Sequence, residues 1–109
     1  MILFISALQP QQDSPVCERF GRSPYYIKWD SETEGWEALP NPGVDQSGGA
    51  GITAAQFIVD QGGVMAVSGD FGPNATKVLQ EAGVQMVRFP DGVSTVSEVM
   101  QIFKEGKLQ

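Results

Sequence analysis

From residue 52 onward one pattern recurs. A segment with apolar residues at helical spacing meets a glycine or proline break, and a short apolar run of the kind buried in a sheet follows. Ile52, Ala55, Ile58 and Val59 share one face of a predicted helix that Gly62-Gly63 ends, and Val64–Ser68 (VMAVS) comes next as a strand. Pro73 suits the first position of a second helix, whose stripe is Ala75, Val78, Leu79 and Ala82 before Gly83 closes it. Gln85–Phe89 reads as the next strand. Pro90-Asp91-Gly92 then turns the chain, and Thr95 with Glu98 makes a capping box for a last helix carrying Val96, Val99, Met100 and Phe103. Strands joined through helices run parallel with right-handed crossovers.

The first half supplies the other strands. Ile2–Ala7 is a buried apolar run, and Leu8–Pro24 is a polar, Pro-bearing segment with almost no periodicity. Tyr25–Asp30 (YYIKWD) alternates as a strand, SETEG turns, and Trp36–Leu39 is its hairpin partner, stopped by Asn41-Pro42-Gly43. The order β-β-β-α-β-α-β-α predicts a mixed sheet covered by helices on both faces. If the first strand runs up, so do the third, fourth and fifth. The segment after strand one, the loop before the first helix, the GDFG turn and the PDG turn then emerge at one edge. That edge, at the carboxyl ends of parallel strands, is where open α/β sheets bind ligands.

Composition narrows the classes of function. The 109 residues suit a single domain over 1–109, with 41% hydrophobic and 18% charged residues. Net charge is −6, histidine is absent, and seven Lys and Arg form no stripe, so no nucleic-acid footprint is visible. Cys17 is the sole cysteine, which precludes an internal disulfide and points to a reducing compartment. MILFISA is too short, and lacks the basic flank, for a signal peptide or a membrane span; the expectation is a cytoplasmic protein. Without histidine as base, and with no activating partner visible for Cys17, ordinary catalysis has little support.

The loops carry the chemistry. In GGAGITA, Gly49, Gly51 and Ala54 match G-x-G-x-x-A, and Asp70 lies 19 residues past Gly51. A dinucleotide fingerprint needs its first glycine directly after a strand, however, and about nine residues separate Leu39 from Gly49. Two readings remain. Glycine N–H groups entering a helix start form a donor surface for anions, or the glycines simply let the loop pack close to the sheet. Arg19 and Arg22 either clamp an anion or pair with Asp13, Glu18 or Asp70. Cys17 is either a soft ligand for cluster iron or copper or a small packed thiol. Ser68 and Asp70, beside Gly69 and Gly72, offer a second nest or a tight strand-to-helix turn.

RFGRSPYYIKWD, NPG…SGGAGITAAQ and SGDFGPNA, in this order and spacing, resemble the dinitrogenase iron–molybdenum cofactor biosynthesis family. Its members are small NifX-like proteins and the carboxyl-terminal domain of NifB-type proteins, and the likeness runs essentially the whole chain. It implies a three-layer α/β/α, ribonuclease-H-like fold with a five-stranded sheet in the order 3-2-1-4-5 and strand 2 antiparallel. It also implies non-covalent binding or carriage of an anionic metal–sulfur cluster: iron–molybdenum cofactor, its iron–sulfur precursor, or a molybdenum–copper sulfide cluster. The resemblance further implies a non-catalytic role related to nitrogen fixation, with cofactor-assembly proteins as expected partners. Carried over residue by residue, the site comprises Arg19, Phe20, Gly21 and Arg22, then Ser47, Gly48, Gly49, Ala50 and Gly51, and finally Gly69, Gly72 and Pro73, with Cys17 as a possible metal ligand. No histidine matches the one used by some carriers, which shifts the expectation toward capture by N–H groups and arginines. Nuclease chemistry, which the fold name evokes, needs clustered carboxylates, and strand one has none. The alternative is a small-ligand-sensing or protein-interaction module without a cluster.

Overall fold

The computed structural model describes residues 1–108; the last residue of the domain expected over 1–109 lies outside them. Strands β1 (Ile2–Ala7), β2 (Tyr25–Asp30), β3 (Trp36–Pro40), β4 (Met65–Ser68) and β5 (Gln85–Arg88) form one sheet in the order β3-β2-β1-β4-β5. β2 is antiparallel to both β1 and β3, and β4 is parallel to β1 and β5. Helices α1 (Ala50–Asp60), α2 (Pro73–Glu81) and α3 (Val96–Lys104) follow β3, β4 and β5. The order of elements is the one read from the alternation of patterns, with strand ends displaced by at most one residue, and the order of strands in the sheet is the one the family resemblance implied.

The sheet is covered on both faces. Leu3, Ile5 and Ala7 of β1 face the cluster that contains Val96, Val99 and Met100 of α3. Phe4 faces the opposite cluster, with Ala54, Ala55 and Ile58 of α1 and Ala75 and Leu79 of α2. Alternate residues of one strand thus anchor both layers. Trp29, Tyr26, Phe4 and Phe20 are the largest fully buried side chains, each contributing about 2–3 kcal/mol of apolar transfer. Thr95 and Glu98 close the predicted capping box at the start of α3. Hydrogen bonds from Ser94 and Thr95 hold the Glu98 carboxyl below its ordinary range.

One expectation needs correction. Ile52, placed on the buried face of α1, is 48% exposed; the buried residues of that helix are Ala50, Ala54, Ala55 and Ile58. The alanines seat α1 because their small side chains allow a close approach, and Ile52 is left at the outer margin of the stripe. Pro90-Asp91-Gly92 does leave the carboxyl end of β5, at the expected edge. The polar segment after β1 intervenes: Val16 N–H donates to Ser94 O (3.0 Å) and Val96 N–H to Ser14 O (2.9 Å). The start of α3 is thereby occupied by the chain itself.

Candidate functional site

β1 leads by way of β2 to one side of the sheet, whereas β4 lies on the other, so the order of connection reverses between β1 and β4. The carboxyl ends of these two strands are the topological switch point. A cleft of about 260 Å³ opens there. It is walled by Arg19–Arg22, by Gly49–Gly51 at the start of α1, and by the Asp70–Asn74 turn that leads into α2.

Each wall has a local cause. Phe20–Arg22 forms a single 3₁₀ turn, absent from the sequence-based reading, with Phe20 buried beneath it. The Phe20 ring packs against Tyr26 and Phe71, at centroid distances of 5.3 and 5.2 Å, and makes an aromatic floor. Gly49 caps α1 in the left-handed region (φ 74°), and Gly72 begins α2 at φ 74°, ψ 162°, a conformation essentially reserved for glycine. A Cβ on Gly21 would lie 3.2 Å from Gly51 Cα, so the 3₁₀ turn rests directly on the backbone of α1.

The turn is also held from below. The buried Tyr26 hydroxyl donates to Phe20 O, and Asn41, 3% exposed, donates through Nδ2 to Gly21 O (3.2 Å) and Ser23 O (2.9 Å). Asn41 Oδ1 in turn accepts from Gly43 N–H (2.9 Å), so one side chain joins the arginine turn to the glycine loop. In the sequence Asn41 reads only as a strand stop, and its position before Pro-Gly is the one clue to this role. Asn41→Ala leaves the buried Ser23 carbonyl and the part-buried Gly21 carbonyl without this donor. It is expected to cost about 2–3 kcal/mol in urea unfolding, and a loss under 0.5 kcal/mol would refute the joining role.

Burial, and secondarily the charge of nearby Cys17, push the Tyr26 hydroxyl well above the ordinary tyrosine range. A folded-state value above the unfolded one gives stability that is complete below about pH 10 and falls as pH rises beyond it. The stability difference between the wild-type protein and Tyr26→Phe therefore shrinks from pH 9 to pH 11, approaching about 1.4 kcal/mol per pH unit at the upper end. Urea titrations at each pH measure it, and a constant difference would contradict the assignment.

Electrostatics favour an anion in the cleft. Neither α1 nor α2 has a side-chain cap, so their first N–H groups and the positive ends of two helix dipoles point at the same space. The ion pairs among the described residues are Met1–Glu32 and Lys104–Glu34, which leaves Arg19 and Arg22 without a carboxylate partner. Arg22 is nonetheless engaged: its Nη1 donates to Val44 O (3.1 Å) and Gln46 O (2.7 Å), bracing the glycine loop. Asp70 opposes the trend, since its carboxylate lines the cleft and its Oδ1 accepts from Gly72 N–H (3.1 Å).

Of the expected site residues, Arg19, Phe20, Gly21, Arg22, Gly49, Ala50, Gly51, Gly72 and Pro73 come together in the lining, joined by Asp70, Phe71 and Asn74. Ser47, Gly48, Gly69 and Cys17 do not line it. Gly69 abuts the Glu18 backbone, where a Cβ would lie 2.6 Å from the carbonyl oxygen. Cys17 is buried, its thiol donating to Arg19 O at 3.6 Å. Among the described residues, no three His, Cys, Asp or Glu gather as a metal-binding group, and no helix is long and apolar enough to cross a membrane.

Known proteins share this fold. The apo form of the orange protein from Desulfovibrio gigas superimposes with a TM-score of 0.91 at 32% identity, covering 99% of this chain and 90% of that one. A candidate NifB protein of the DUF35 family from Thermotoga does so with a TM-score of 0.85 at 30% identity, again covering 99% and 90%. A comparison with curated proteins finds no match. The profile described as dinitrogenase iron-molybdenum cofactor matches residues 1–106, and with this fold and these neighbours the chain belongs to that family.

Proposed function

We propose that the cleft receives an anionic metal–sulfur cluster or a related thio- or oxo-anion as cargo, and that the protein carries it to cofactor-assembly proteins without turning over a substrate. The observation that carries this reading is the meeting of two uncapped helix starts and two arginines in one cleft. Family membership and a neighbour described in an apo form support it. The lining contains no thiol and no imidazole, so the cargo is held by hydrogen bonds and charge to its outer atoms rather than through ligation to its metal. Arg19 supplies the uncommitted guanidinium, while Arg22 supplies charge and holds the glycine loop in place.

An amide NMR titration of ¹⁵N-labelled protein with tetrathiomolybdate, with and without copper, tests the site. Shifts are expected at Arg19–Arg22, Gly49–Gly51 and Asp70–Asn74, together with a stoichiometric coloured complex; their absence would overturn the proposal. Asp70→Asn keeps an acceptor for Gly72 N–H and removes the repelling charge. It should tighten binding by roughly threefold, about 0.7 kcal/mol for a charge some 6 Å away in water. Weaker binding by this variant would show that the carboxylate contacts the cargo favourably.

A further inference from the structure

β5 is a sheet edge, pairing with β4 alone. Gln85 N–H donates to Val64 O and Phe89 N–H to Ser68 O, so the odd-numbered residues of this stretch turn their backbone groups toward β4. By the alternation of a parallel ladder, the N–H and C=O groups of Met86 and Arg88 face outward. Their side chains fall together on the α1/α2 face of the sheet, where Met86 packs against the core cluster. With Phe71, Pro73, Thr76 and the Asp70–Gly72 turn they line a depression of about 440 Å³. Its floor is apolar, and Arg88 at its margin is exposed, with no carboxylate partner among the described ion pairs.

We propose that this edge docks an extended segment of a partner protein as an added strand, carrying an acidic residue and an apolar residue two positions apart. The free backbone groups of Met86 and Arg88 supply the pairing. Residues i and i+2 of the added strand land on the same face as these two side chains, so the acid meets Arg88 and the apolar residue enters the depression beside Met86. A second copy of this chain fits poorly through β5, because Gln85-Met86-Val87-Arg88 offers no carboxylate for the facing arginine. The depression and the cargo cleft share the Asp70–Pro73 wall, so a docked segment lies against the cleft without entering it.

Selection of random heptapeptides on immobilised protein tests the proposal independently of any cargo. The wild-type protein is expected to enrich acid-x-apolar patterns and Arg88→Glu basic-x-apolar ones, with wild-type winners binding the variant roughly tenfold more weakly. Because Arg88 is exposed, the variant should fold, and an unchanged melting curve verifies this. A winning peptide should shift the amides of Gln85–Phe89 and slow hydrogen exchange at Met86 and Arg88. No enrichment, the same pattern from both proteins, or shifts confined to Arg19–Arg22 and Gly49–Gly51 would each overturn the proposal. So would wild-type dimers that Arg88→Glu abolishes in the absence of enrichment.

Discussion

Gly69→Ala is expected to lower the unfolding free energy by about 3 kcal/mol, among the largest effects of any single methyl added to this chain. Asp70 N–H donates to Glu18 O (2.6 Å) and Phe20 N–H to Asp70 O (2.9 Å), so residues 18–20 run beside residues 69–70 as a one-step parallel ladder. A Cβ at Gly69 would lie 2.6 Å from Glu18 O and 2.9 Å from Glu18 Cα, and backbone cannot swing aside as the end of a side chain can. Either the two hydrogen bonds break or the arginine turn is displaced. At about 4–8 °C per kcal/mol for a domain of this size, the melting temperature should fall on the order of 15 °C. Gly48→Ala is the control, since a Cβ there meets nothing within 4 Å; it should change stability by less than about 0.5 kcal/mol. Equal stability of the two variants in urea would mean that the approach of residues 18 and 69 is not close in solution.

Arg19→Glu should weaken tetrathiomolybdate binding about a hundredfold, equivalent to 2.7 kcal/mol, and leave the melting temperature nearly unchanged. Arg19 lines the cleft, is exposed, and has no ion-pair partner among the described residues, so little of the fold depends on its side chain. The reversal replaces an attraction with a repulsion, and binding should also lose much of its sensitivity to added salt. Arg22→Lys makes the informative comparison. It keeps the charge but loses the planar fork that reaches Val44 O and Gln46 O, so it should loosen the glycine loop and cost a smaller, less salt-dependent share of affinity. A visible-light titration measures both variants. Unchanged affinity in Arg19→Glu would remove the arginine turn from the site.

The candidate site was partly legible in the sequence. The arginine turn, the start of α1 and the start of α2 were singled out and do meet, because strand direction sends all three to one edge. Gly69 was grouped with them by motif, yet its small size serves an approach to Glu18. Asn41 and the loop-bracing contacts of Arg22 went unseen, for they join segments some 20 residues apart through side chains that no periodicity reports.

The sequence by itself determined the order of elements, the parallel half of the sheet, the capping box of α3 and the edge at which the arginine turn and the starts of α1 and α2 converge. These follow from spacing within one segment and from the handedness of crossovers, both local properties. Only the tertiary structure decided that Ile52 faces outward, that residues 14–16 cover the start of α3, and that Asp70 sits inside an otherwise cationic cleft. Each of these depends on which backbone comes within a few ångströms of another, a matter of packing distance rather than pattern.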